Sequence, residues 1–148
     1  MLEKQLDLFK ELFADYPNIA ILHVNNSLDI ITSTLEEIKN KNEGNIKYIP
    51  FIDEKSARLR PTAREYEYVV LGDILSYCPN KDKILKLMYK AIENSGNIII
   101  LEKKSNDNLY ELLELIENIG FQAVNNIDLF DEFNLITAKK MHHWDNGL

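Results

Sequence analysis

Residues 98–101 read Ile-Ile-Ile-Leu, an apolar run with no alternation, set between Asn94-Ser95-Gly96 and Glu102-Lys103. A strand with one wet face alternates apolar and polar residues, whereas an unbroken run must be covered on both faces. Helices on both sides of a sheet supply that cover, and the rest of the chain provides them. Leu2, Leu6, Phe9, Leu12 and Phe13 recur at helical spacing before Pro17. Leu28, Ile31, Leu35 and Ile38 form the inner face of a second helix, with Asn26 or Ser27 as its N-cap and Gly44-Asn45 at its close. Residues 81–92 and 109–119 give two more, the last capped by Asn106-Asp107 and stopped by Gly120.

Between these helices lie short apolar segments at 19–24, 46–52, 68–71 and 97–101, and two closing strands near 122–125 and 134–139. Alternating strands and helices predict right-handed crossovers and a mostly parallel, three-layer α/β sheet. The last two strands, joined by the acidic stretch around Asp128, Asp131 and Glu132, predict an antiparallel pair. Pro50 removes a ladder donor from the second strand and so places it at a sheet edge, at a bulge or at a strand start. Residues 53–65 are polar, contain Pro61 and carry no clean period; they read as a loop.

At 148 residues the chain reads as one domain over 1–148, with an N-terminal helix within 1–18 and a tail at 141–148. No apolar run reaches the roughly 20 residues that span a bilayer. The amphipathic opening lacks a secretory pattern, and Cys78 is alone, so neither a disulfide nor a metal framework is expected. Those features predict a cytoplasmic protein without a membrane partner. The formal charge of -7 argues against broad nucleic-acid binding, which depends on neutralising phosphates.

The stretch Tyr66-Glu67-Tyr68-Val69-Val70-Leu71-Gly72-Asp73 resembles the fourth strand of class I S-adenosylmethionine-dependent methyltransferases, in which an aromatic-acidic pair opens the strand and a short polar turn follows. The likeness continues in order. Residues 85–96 look like the family's next helix and turn, and 97–101 its fifth strand. Ile119-Gly120-Phe121 resembles its glycine-phenylalanine exit, and 135–140 its last, antiparallel strand. The resemblance covers about half of the chain. It implies a Rossmann-like, shortened methyltransferase-like fold, S-adenosylmethionine as cofactor, and a site at the carboxyl ends of the strands.

The amino half departs from that pattern. The family's first strand ends in an acid followed by alternating glycines; aligned on it, His23 takes the acid's place, and Asn25, Ser27 and Asp29 fall on the glycines. Glycine there permits close backbone approach and positive φ, which side chains obstruct. Asp29 adds negative charge where the methionine carboxylate would lie. The segment before Tyr66 is also too short for the family's third strand, which would leave 46–52 at the sheet edge.

The resemblance implies a cofactor site at His23, Asn25, Ser27, Asp53, Gly72 and Asp73. Each residue has a plainer reading. His23 can be a base or a satisfied structural group. Asp53, with Glu54, can hold ribose hydroxyls or pair with Lys55 or Arg58. Asp73 can accept a hydrogen bond from a bound amine or cap the following turn. Arg58, Arg60 and Arg64 offer planar forks for an anionic substrate, from a loop expected beside the crevice, or they pair with the protein's own carboxylates. His142, His143 and Asp145 lack a further ligand, so no metal site is expected. Trp144 packs back on the domain or on a second copy, which keeps a homodimer open.

Three functions remain open from the sequence: a methyltransferase of unknown acceptor, a non-catalytic relative that binds a protein partner or another small molecule, and, least favoured by charge, a nucleic-acid module.

Overall fold

The computed structural model describes residues 1–57 and 64–141; Arg58, Arg60 and the tail with His142, His143, Trp144 and Asp145 lie outside the described residues. The chain runs α1 (Glu3–Lys10), β1 (Ala20–Asn25), α2 (Asp29–Lys41), β2 (Asn45–Pro50), β3 (Tyr66–Gly72), α3 (Lys81–Ala91), β4 (Ile92–Lys103), α4 (Leu109–Ile119), β5 (Gln122–Ile127) and β6 (Phe133–Lys139). One six-stranded sheet has the order β2-β1-β3-β4-β6-β5. The first four positions are parallel, and β6 runs antiparallel to both β4 and β5.

The unbroken apolar run sits where its pattern demands. Ile98 and Ile100 face a cluster with Leu22, Val24, Val69 and Leu71, closed by Ile84, Leu85 and Met88 of α3 and Leu112 and Ile116 of α4. Ile99 and Leu101 face the opposite cluster with Ile21, Tyr68 and Val70, closed by Phe9 of α1 and Ile31, Leu35 and Ile38 of α2. Two helices on each face make the three layers. Each fully buried Ile or Leu contributes roughly 1.5–3 kcal/mol, so the central strands carry much of the stability.

The edge expectation is met. β2 pairs with β1 alone, its other edge unpaired among the described residues, and Pro50 ends it opposite Asn25. Asn45 N–H donates to Ile19 O and Phe51 N–H to Asn25 O, so odd-numbered residues bond inward. In a parallel ladder the even-numbered ones then face outward, and at Pro50 no donor is presented.

Four local expectations change. Neither Asn26 nor Ser27 caps α2; the cap position is Leu28, whose N–H is held by Asn25 Oδ1 at 3.2 Å. Asn106 ends a short 3-10 turn, Lys104–Asn106, which Asp107 follows in a left-handed conformation, and α4 starts after Asn108 with no side-chain cap. Residues 94–96 are not a turn before the strand but an irregularity within β4, which pairs Ile92 with Tyr66 and next Asn97 with Tyr68. The Ser95 N–H bond to Lys140 O at 2.7 Å keeps this irregularity in the sheet. Within the expected loop, Glu54–Ala57 form a 3-10 turn. Gly120 ends α4 as expected, with φ 125°, a conformation that glycine adopts without strain.

Candidate functional site

The chain after β1 turns to one side of the sheet to form β2, then crosses to the other side to form β3. Such a reversal opens a crevice at the carboxyl ends of the strands. A cleft of about 650 Å³ lies there, lined by Asn26 after β1, Phe51 to Lys55 after β2, and Tyr77 and Pro79 after β3. The volume is within the range of small-molecule sites.

Its walls are fixed by short-range bonds. Asp53 Oδ1 accepts the Ser56 N–H at 3.2 Å, which caps the 3-10 turn. Its second oxygen has no hydrogen-bond partner among the described residues. Glu54 Oε1 accepts the Asn80 N–H at 3.0 Å and ties the loop after β2 to the start of α3. Phe51 and Tyr77 face each other with ring centroids 6.3 Å apart. Two aromatic rings, a carboxylate with spare acceptor capacity and a restrained rim suit a flat heterocycle bearing a diol.

The β1–α2 turn is built differently. Asn25 is buried, its Nδ2 donating to Thr32 Oγ1 at 3.2 Å while Oδ1 takes the Leu28 N–H. Asn26 N–H donates to Gly72 O at 2.8 Å, and its Nδ2 to Asp73 O at 3.2 Å. Ser27 adopts φ 64°, the left-handed conformation that a glycine would take freely. Gly72 is required by close approach: a Cβ there would collide with the Asn25 side chain.

His23 lies fully buried on the α2 side of the sheet, away from the cleft. Its Nε2 contacts Thr32 Oγ1 at 3.0 Å and its Nδ1 contacts Val70 O at 3.2 Å. Burial lowers its pKa to about 4, so it is neutral and structurally engaged at neutral pH. Arg64 is exposed before β3, its N–H bonded to Lys90 O at 3.0 Å. That is the amino end of the sheet, opposite the cleft by the length of β3, about 20 Å at the usual rise. The arginine loop was expected beside the crevice; at Arg64 the structure corrects that expectation.

Asp73 is buried at the end of β3 with φ 58°. Its Oδ2 lies 3.7 Å from Lys103 Nζ, and its Oδ1 has no hydrogen-bond partner among the described residues. Desolvation raises its pKa against the pull of Lys103. Glu102, not singled out from the sequence, is buried behind it and accepts the N–H groups of Leu75 at 3.2 Å and Ser76 at 3.0 Å. Burial, with Asp73 adding to it, pushes its pKa up to about 7. The only sequence signal was its place as the first charge after a buried run. The Cys78 thiol is pushed up to about 11 by burial, so it is not a nucleophile at neutral pH. Among the described residues no group of three or more His, Cys, Asp or Glu is arranged to hold a metal.

With this geometry in view, comparison with solved structures shows the fold: the chain has a shortened, Rossmann-like class I S-adenosylmethionine-dependent methyltransferase fold with a six-stranded sheet. It is similar to Haemonchus contortus phosphoethanolamine N-methyltransferase 2, solved with phosphomonomethylethanolamine and S-adenosylhomocysteine, at 12% identity and TM-score 0.69, covering 94% of this chain and 53% of that one. It is also similar to a SAM-dependent methyltransferase from Aquifex aeolicus, at 8% identity and TM-score 0.65, covering 92% and 89%. A chain from the complex of a Haloferax volcanii methyltransferase activator with a methyltransferase matches at 7% identity and TM-score 0.67, covering 93% and 90%. The chain thus spans about half the length of the Haemonchus enzyme. No protein-family model matches the sequence, and none of the curated proteins does.

Proposed function

We propose that this protein binds an S-adenosylmethionine-type nucleoside in the cleft after β1, β2 and β3 and acts as a methyltransferase on an acceptor of unknown identity. The observation that supports the reading is the cleft itself, at the strand reversal and lined by Asp53, Phe51 and Tyr77; in this reading Asp53 would meet the ribose hydroxyls and the two rings the base. The fit is divided. The nucleoside half matches the residues present; at the amino-acid half, Asn25 occupies a helix N–H that a ligand carboxylate would use. S-Adenosylmethionine, when bound, supplies the activated methyl group. The chain's share is orientation of an acceptor, which needs no nucleophilic side chain. Asp73, Lys103 and Tyr77 are the polar groups closest to that role.

A non-catalytic module that contacts a protein partner is the second reading. The filled β1–α2 turn and the unpaired edge of β2 support it, as does the likeness to a methyltransferase complex that contains an activator protein. Calorimetric titration with S-adenosylmethionine and S-adenosylhomocysteine, paired with thermal shift, separates the two. Saturable heat and a raised melting temperature are expected. No heat and no shift at millimolar ligand would transfer the assignment to the second reading.

A further inference from the structure

We propose that the adenosyl ligand of this cleft is recognised without an amino-acid tail: a 5′-alkylthioadenosine is held as well as, or better than, its homocysteine-bearing analogue. This rests on the nucleoside reading above and goes beyond it by naming which part of the ligand is read.

Three features of the β1–α2 turn point this way. Three donors of this turn that could meet a carboxylate are already used within the protein. Leu28 N–H is on Asn25 Oδ1, Asn26 N–H on Gly72 O, and Asn26 Nδ2 on Asp73 O. Asn25 is itself fixed, since its Nδ2 is bonded to Thr32 on the next turn of α2 and its side chain fills the space over Gly72. Swinging aside would cost it both part-buried bonds, to the Leu28 N–H and to Thr32 Oγ1. Finally, Asp29 places a carboxylate of its own in the first turn of α2, where a ligand carboxylate would meet like charge. The shape agrees with the chemistry, because the cleft extends from Asn26 along the ends of β2 and β3 and is not lined by Ser27, Leu28 or Asp29. The aromatic cover, Phe51 and Tyr77, is on the nucleoside side.

In a site that holds a ligand carboxylate through charge-assisted hydrogen bonds, losing the tail weakens binding about tenfold or more. Here that loss is absent. The test compares adenosine, 5′-methylthioadenosine and S-adenosylhomocysteine by calorimetry on the unaltered protein, then on Asn25→Gly and Asp29→Asn. The thioether pair carries no net charge on either member, so the comparison isolates the tail. Methylthioadenosine is expected to bind at least as tightly as S-adenosylhomocysteine. Asn25→Gly, by freeing the Leu28 N–H, should strengthen S-adenosylhomocysteine about tenfold while leaving methylthioadenosine within about twofold. If that variant does not fold, the exposed Asp29→Asn carries the same test, with a gain of about threefold for the tailed ligand alone.

Tenfold tighter binding of S-adenosylhomocysteine to the unaltered protein would overturn this inference and leave the nucleoside reading intact. So would equal response of both thioethers to the substitutions. Absence of binding by all three ligands would overturn both, with adenosine as the arm that tells the two failures apart.

Discussion

At the scale of single residues, the two most perturbed groups pull stability in opposite directions with pH. His23 titrates at about 4 in the folded protein against 6.5 ordinarily, so between those values the unfolded chain binds the extra proton and stability rises with pH. Glu102 titrates at about 7 against 4.5, so over its window the folded chain holds the extra proton and stability falls as pH rises. Each slope is about 1.4 kcal/mol per pH unit. Between pH 4.5 and 6.5 they cancel, and Asp73, also raised, acts in the sense of Glu102 at the acid end. The prediction is a nearly flat stability profile that single substitutions unmask. Denaturant melts of Glu102→Gln should gain stability on going from pH 4 to 6.5, and those of His23→Gln should lose it from 4.5 to 7. Parallel profiles for both variants would contradict the assignment. Asn25→Ala, which removes the bonds to Leu28 and Thr32, should lower stability by about 1–2 kcal/mol in the same assay. A change within error would mean that the turn holds itself without that side chain.

At the scale of elements, two devices protect the sheet. On the β2 edge, Ile46 and Tyr48 have backbone donors facing outward, while Pro50 removes the next and Lys47 keeps an exposed charge. Replacing Lys47 and Pro50 together with Val should raise self-association, read by sedimentation, with little change in melting temperature. A variant that stays monomeric at high concentration would show the edge to be guarded by something else. At the far end of α3, Lys140 Nζ donates to Tyr89 O at 2.9 Å and Ile92 O at 3.0 Å and lies 4.8 Å from the Tyr89 ring centroid. It thereby satisfies carbonyls at the helix end and pins the end of β6 beside them. Lys140→Met should cost about 1–3 kcal/mol, because it removes a charged donor from the Tyr89 and Ile92 carbonyls. Equal stability of that variant would show that water takes the ammonium's place.

The whole molecule is a sheet whose carboxyl edge collects one wall of the cleft from each of three strand ends. Tyr77 is half-exposed there, so its truncation should touch ligand more than fold. Tyr77→Ala is expected to weaken adenosine binding about tenfold by loss of ring stacking. The unliganded melting temperature should stay within a few degrees, since surface changes of this kind alter stability little. Unchanged affinity would place the base elsewhere in the cleft. What the sequence determined by itself was whatever depends on local pattern: the doubly covered strand at 98–101, the four amphipathic helices, the closing antiparallel pair, and the edge position of the strand carrying Pro50. Tertiary structure decided whatever depends on which distant groups become neighbours. Asn25 meets Thr32 and Gly72, Glu102 meets the amides of Leu75 and Ser76, and Arg64 is carried to the amino end of β3, away from the crevice its sequence neighbours suggested. Periodicity records which face of an element is apolar, but hydrogen bonds and desolvation arise only once the chain has closed on itself.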